Sequence, residues 1–280
     1  SSAASDVYKR QEEMEPLQKV MNARNLFAEI LTGEQRVEEL LRREEVSPEF
    51  WSLKGEDTKY FLDKILAGDI SNRKIAVLGA RTGEIIKQYW DGFCQAEEIT
   101  LFDTSAGILK LAQEKLGGMN ANIRYCSTYN EGVEESELNK YDIVLAVNLL
   151  HTYEEPLKEV EWAALLLKRE GDFYAIEYEE LDPMGILISG LLENGFVNRK
   201  RGRREHTPLL LLDDWKNIYG QAPFGEVAIN RRGRLGALLI HAKNVTPEVI
   251  EMRSRILEYM NENLTAYMIP TKRMIVKLSL

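Results

Sequence analysis

From residue 74 onward this chain alternates short apolar runs with amphipathic stretches, and that alternation limits its fold more than any other feature. IAVLG (75–79), EITLFD (98–103), NIRYCS (122–127), YDIVLAVN (141–148) and GDFYAIEYE (171–179) read as strands. The intervening stretches 83–90, 104–116 and 154–168 read as helices. Strands buried on both faces carry continuous Val, Ile and Leu, and strands separated by helices pair in parallel. The pattern predicts an α/β domain built on a doubly wound sheet. Further on, 184–193 and 213–220 read as helices. VAINRR (227–232) and LGALLIHA (235–242) read as an antiparallel pair around Gly233, giving seven strands.

The flanks differ from this centre. Residues 12–32 carry Met14, Leu17, Val20, Met21, Leu26, Phe27 and Ile30, a spacing that fits one helical face. Gly33 breaks it, a charged helix is expected over 34–45, and 56–67 makes a third amphipathic helix. Ser1–Gln11 (SSAASDVYKRQ) reads as a translated sequencing adapter and carries no functional weight. Thr246-Pro247 marks a helix start that runs to about Leu264, followed by AYMIP and a strand-like tail that reads as cut. The expected division is an adapter or tail over 1–11, a helical segment over 12–70, a central domain over 71–243 and a separate fragment over 244–280.

Composition removes some function classes. Apolar residues make up 44% of the chain, enough for a sizeable core. The 36 basic and 45 acidic residues give a net charge of −9, which is the wrong sign for a general nucleic-acid binder. Cys94 and Cys126 match no metal or redox spacing and read as reduced, buried thiols, and no metal site is expected. No apolar run approaches a membrane span, so the reading is a cytoplasmic protein.

Chemistry concentrates at the strand ends. The first strand runs into Gly79-Ala80-Arg81-Thr82-Gly83 and then a helix. Such a turn brings backbone N–H groups to a cofactor at a helix N-terminus, or it simply makes a tight turn. Asp103 ends the second strand, where a carboxylate can hold a ribose hydroxyl pair or can cap the next helix.

Together these segments resemble a known family. IAVLGARTGEIIKQYW, ITLFDTSAGILKLAQEKL, YDIVLAVNLLHTYEEPLKEV, LLKREGDFYAIEYEE and REHTPLLLLDDW are similar, in order, to blocks of the S-adenosylmethionine (SAM) methyltransferase domains of polyketide and nonribosomal peptide synthetases. The resemblance covers roughly residues 25–242 and implies a class I methyltransferase, Rossmann-like fold. It implies that Gly79, Gly83, Asp103 and Asn148 line a cofactor. It also implies a base dyad beside the substrate Cα, at His151 and Glu177, because carbon-methylating members carry a His and a Glu there. In this fold the fourth and fifth strands are neighbours, about 4.8 Å apart, so both residues reach the crevice at the carboxyl edge of the sheet. Glu177 would fix the imidazole tautomer and support the imidazolium.

The departures from the family cluster around one ligand. Val77 stands where an acid two positions before the first glycine is usual, Arg81 replaces the middle glycine, and Ser127-Thr128-Tyr129-Asn130 lacks the acid that meets the adenine amine. The tail ILEYMNENLTAYMIPTKRMIVKLSL resembles the small C-terminal subdomain of adenylation domains around LPxYMIP, with Tyr267-Met268-Ile269-Pro270 retained. This implies a tailoring domain inserted in an adenylation domain, as in siderophore synthetases of the pyochelin and yersiniabactin type. Members there with eroded SAM motifs are epimerases. The expectation is therefore an enzyme acting at the Cα of an aminoacyl or thiazolinyl thioester on a phosphopantetheine carrier, as an epimerase. The alternatives are a SAM-dependent C-methyltransferase and a non-catalytic relic. Adenylation core and carrier domains are the expected partners. His206 falls in a segment the family places beside substrate, and reads either as a substrate-side group or as a solvent-exposed loop histidine. His241 reads as structural, and Arg199–Arg204 reads as a solvated loop or as a contact for a phosphopantetheine phosphate or an acidic carrier.

Overall fold

The computed structural model describes residues 18, 21–22, 24–42, 56–79, 83–119, 122–127, 134–181 and 209–246. The expected helix over 184–193, His206, the basic run, Arg81, Thr128–Asn130, the adapter and the tail from Pro247 onward lie outside these residues.

Seven strands form one sheet: β1 (Lys74–Leu78), β2 (Glu98–Asp103), β3 (Ile123–Ser127), β4 (Tyr141–Val147), β5 (Leu167–Tyr178), β6 (Phe224–Arg232) and β7 (Ala237–Val245). The order across the sheet is β3-β2-β1-β4-β5-β7-β6, with β1 to β5 parallel and β7 antiparallel to both its neighbours. The order reverses between β1 and β4, which puts the ligand crevice of such a sheet at the carboxyl ends of these strands. The fold is the class I SAM-methyltransferase fold, with the expected pairing and a mixed seven-stranded sheet.

Helices cover both faces. On one side lie α2 (Glu56–Leu66), α3 (Glu84–Gln88), α4 (Trp90–Phe93) and α5 (Ala106–Leu116). They place Phe61, Leu62, Ile86, Phe93 and Ala112 against Ile75, Val77 and Leu145. On the other side, α6 (Pro156–Leu166) and α7 (Leu212–Gln221) place Val160, Ala164, Trp215 and Tyr219 against Ala76, Val144, Phe173 and Ala175. Strand alternation assigns the two sets, since successive side chains point to opposite faces. Before α2, α1 (Arg24–Thr32) buries Leu26 and Phe27.

Several boundaries moved, each for a local reason. Within the charged stretch expected as a helix over 34–45, the residues described, up to Arg42, form a 3-10 turn over Val37–Arg42. The helix expected over 83–90 breaks at Tyr89 into α3 and α4. There Gly92 sits so near α2 that an added Cβ would lie 2.7 Å from Leu66 Cδ1. β5 starts at Leu167 rather than 171, because Leu167 pairs with Tyr141 before a register shift brings Asp172 opposite Ile143. The hairpin turn between β6 and β7 carries Gly233 and Gly236 with φ of 72° and 61°, in the left-handed region where glycine is favoured. No helix among the described residues is long and apolar enough to cross a membrane.

Candidate active site

The carboxyl ends of β3, β2, β1, β4 and β5 present Ser127, Asp103, Gly79, Asn148 and Glu177 across the sheet. β4 ends at Val147, and Asn148 then adopts φ 48°, a left-handed conformation that an Asn tolerates. Its N–H donates to the Ile176 carbonyl at 2.7 Å. This reversal sends the chain back into a 3-10 turn over Leu150–Thr152, and His151 sits on that turn rather than on the strand.

Glu177 is the centre of the site. Its neighbours Phe173 and Ala175 point to the α6/α7 side, so its carboxylate enters the core layer they share with Trp215 and Tyr219. It is fully buried, and its partners meet the cost of that burial. Oε1 accepts the backbone N–H groups of Leu149 at 3.0 Å and Leu150 at 2.7 Å. Oε2 lies 2.7 Å from His151 Nδ1, and the imidazole is only 1% exposed. A carboxylate that takes two N–H donors is an acceptor, so Nδ1 carries the hydrogen and proton chemistry belongs to Nε2. One acid thus orients the ring and holds the turn on which the ring is mounted. The expected dyad is brought together.

The glycine-rich turn is partly described. Gly79 and Gly83 both have positive φ, 62° and 70°. Each is closely packed: an added Cβ would lie 2.5 Å from Leu149 Cδ1 at Gly79 and 2.6 Å from Leu116 Cδ1 at Gly83. The Gly79 N–H donates to the Phe102 carbonyl at 2.8 Å. Asp103 Oδ1 accepts the Ser105 N–H at 2.8 Å, while Ser105 itself caps α5 by accepting from Ile108. Asp103 therefore shapes the turn before the cap.

These residues suit a SAM-type nucleoside at the ribose end. The buried Oγ of Ser127 and Oδ1 of Asn148 have no hydrogen-bond partner, and they flank the Asp103 carboxylate and the left-handed glycines along the carboxyl edge. Polar atoms buried there call for a polar ligand or water. The methionine end is thinner, since Val77 is buried in the apolar layer facing α2 and α5.

Other titratable residues are structural. His241 Nε2 lies 2.7 Å from Asp172 Oδ1 and its ring stacks on Tyr174 at 4.3 Å, in the middle of β5 and away from the carboxyl edge. Cys94 is exposed rather than buried, while partial burial pushes the Cys126 thiol up, reinforced by Glu137, so it is not a ready thiolate. No group of His, Cys, Asp and Glu among the described residues could hold a metal ion. Two features escaped the sequence: the Leu149 and Leu150 N–H donors and the clamp by Glu179. Glu179 Oε1 accepts the N–H of Leu212 at 3.0 Å, and its Oε2 accepts from Arg231. Backbone donors leave no trace in a sequence. The acid-rich IEYEE after an apolar strand was the one available signal for Glu179.

No protein-family model matches the chain. Highly reducing polyketide synthase 40 of Fusarium pseudograminearum (strain CS3096) is 29% identical over 122 residues, 42% of this chain and 5% of that protein. Hybrid PKS-NRPS synthetase phm1 of Pyrenochaetopsis sp is 26% identical over 211 residues, 70% of this chain and 5% of that protein. The chain spans only 4–7% of the length of the curated relatives it matches. Among solved structures, the CurJ carbon methyltransferase superposes with TM-score 0.65 at 20% identity, covering 88% of this chain and 70% of that one. The trans-methyltransferase CalH, solved with SAH, gives TM-score 0.66 at 17% identity, covering 86% and 73%.

Proposed function

We propose that this chain is a carbon-methylating tailoring domain of a multidomain synthase, acting at the α-carbon of a carrier-bound thioester. The observation that carries the reading is the buried His151–Glu177 pair, with Glu177 also gripping the backbone of the turn that bears the histidine. A thioester acidifies its α C–H, and a positioned imidazole base suits its removal. His151 Nε2 takes the proton, the C–H electron pair moves toward the thioester carbonyl, and Glu177 supports the imidazolium that results. When bound, SAM supplies an electrophilic methyl group for that carbon. Gly79, Gly83, Asp103 and Asn148 are the residues that would hold it, with Asp103 toward the ribose hydroxyls. The likeness to carbon methyltransferases and to stretches of polyketide and hybrid synthetases supports methylation ahead of the epimerase reading that the sequence put first.

Epimerisation stays as the second reading on one observation: among the described residues, the apolar Val77 and the Leu149 packing leave the methionine end with few polar groups. The same base would act, with the proton returned to the opposite face of the carbon. We further propose that the tail expected over 244–280 belongs to an adenylation subdomain, beginning after β7 ends at Val245. Residues 71–243 are then inserted in an adenylation domain of a pyochelin or yersiniabactin-type siderophore synthetase. Its adenylation core and phosphopantetheine carrier are the partners, and His206 lies on the substrate side.

The test is a carrier-bound acyl thioester in deuterated water, with and without SAM. Methyl transfer that needs SAM and is lost in His151→Ala supports the reading. Exchange and inversion without SAM turns it to epimerisation. Neither, with a folded and correctly loaded domain, leaves a non-catalytic relic.

A further inference from the structure

Behind the dyad, on the α6/α7 side of the sheet, a second polar group is buried without a partner. α7 begins where the Leu212 N–H meets Glu179 Oε1, at the carboxyl end of β5. It runs back along that strand until the Tyr219 ring packs 6.1 Å from Phe173. Side chains on a helix lean toward its N-terminus, so the Tyr219 phenol is directed back up β5 toward Glu177. Phe173 and Glu177 lie on one face of the strand, and the Tyr219 hydroxyl has no hydrogen-bond partner. Nor has the indole N–H of Trp215, one helical turn earlier, whose ring lies 6.3 Å from that of Tyr219. Complete burial, with the negative charge of Glu177 added, holds the Tyr219 phenol well above its ordinary value. The negative charge of the dyad is therefore felt at this hydroxyl.

Glu177 has room for one more donor. A carboxylate offers about four acceptor positions, and the two N–H groups and His151 occupy three of them. A phenylalanine at 219 would fill the same core volume without the cost of a buried unpaired hydroxyl. We propose that Tyr219 is a positioning residue for the dyad, its hydroxyl linked to Glu177 Oε2 through one buried water that also takes the Trp215 N–H. Buried waters are held by two to four such polar groups. The link fixes the carboxylate torsion and limits the charge that Oε2 lends to the imidazole. The other buried titratable groups on this side are His151, Glu179 beside the start of α7, Tyr141 with its partner Glu137, and, on α6, Glu159 and Glu161.

The functional meaning of this link rests on the dyad being the base, but its test needs no turnover. In the full chain, the His151 Nδ1 proton is followed by NMR and assigned by its loss in His151→Ala. Tyr219→Phe removes only the hydroxyl. The His151 Nδ1 resonance should shift by more than its line width and the thermal midpoint should fall. An unmoved resonance would overturn the proposal: the hydroxyl would be an unsatisfied group whose removal stabilises the core. If Tyr219→Phe does not fold, 3-fluorotyrosine placed at 219 keeps ring and hydroxyl while strengthening the donor. It should move the same resonance, and an unmoved one again overturns the link. A domain that binds no SAM and exchanges no α-hydrogen would still give this reading, so the two failures are told apart.

Discussion

At the residue scale, His151 and Glu177 do different work, and substitutions separate the two. His151→Ala should lower α-hydrogen exchange from a carrier-bound thioester by a factor on the order of 10² to 10⁴, the usual worth of a positioned base. Glu177→Gln should lose less, because an amide oxygen can still accept from the turn while the ring is less well supported. Stability should rank them the other way. Glu177→Ala strips the acceptor from the Leu149 and Leu150 N–H groups and from His151 Nδ1, all buried. A cost on the order of 3 kcal/mol is expected in urea unfolding, well above that of His151→Ala. The pair itself was legible in the sequence, since NLLH and IEYE follow two apolar runs that a parallel sheet makes adjacent. The grip on the turn was not. It depends on backbone donors brought round by the left-handed Asn148, and nothing in the order of side chains announces that.

At the element scale, the amino ends of β2, β3 and β4 are joined by charge. Arg124 reaches Glu137 at 2.9 Å and Glu98 at 3.1 Å, Lys140 reaches Glu98 at 2.8 Å, and the Tyr141 hydroxyl donates to Glu137. Burial alone would raise the Glu137 carboxyl, but hydrogen bonds from Arg124 and Tyr141 and the charge of Lys140 outweigh it and hold it at about 2. A depressed carboxyl contributes stability above its unfolded value, near 4.5, and that contribution is lost as pH falls from there toward 2. Glu137→Gln should cost on the order of 2 kcal/mol at neutral pH, discounted for the partly exposed Arg124. It should also flatten the fall in stability below pH 4.5, measured as urea midpoints across pH. The elements themselves were largely readable: β2 matches its expected span of 98–103, and α5 and α7 fall within two residues of theirs. The errors lie where a contact between elements decides, as with Leu167 drawn into β5 by Tyr141 and the helix broken beside Gly92.

At the scale of the whole molecule, the sheet depends on its last strand. β7 lies between β5 and β6, bonded to both, and the Thr246 N–H closes onto the Pro223 carbonyl. A chain ending after Thr246 should keep its thermal midpoint within about 2 °C, because it retains all seven strands described in the sheet. A chain ending after Gly236 loses the strand that bridges β5 and β6, together with buried Leu238, Ile240 and Ala242, and should yield no cooperative transition by circular dichroism. A long fall in midpoint on removing 247–280 would instead make that segment part of the same folding unit.

The place of β7 also sets an order of events during translation. Chains emerge from the ribosome amino end first, at about 5–20 residues per second. Strands β1 to β5 can assemble as they appear, but β6 comes out before the strand it must pair with and finds no neighbour in the growing sheet. For the few seconds until β7 follows, the edge of β5 and the freshly made β6 both present unpaired backbone. The nascent polypeptide is then most open to mispairing with another chain on the same messenger. The brevity of the linker, four residues from Gly233 to Gly236, keeps that interval short.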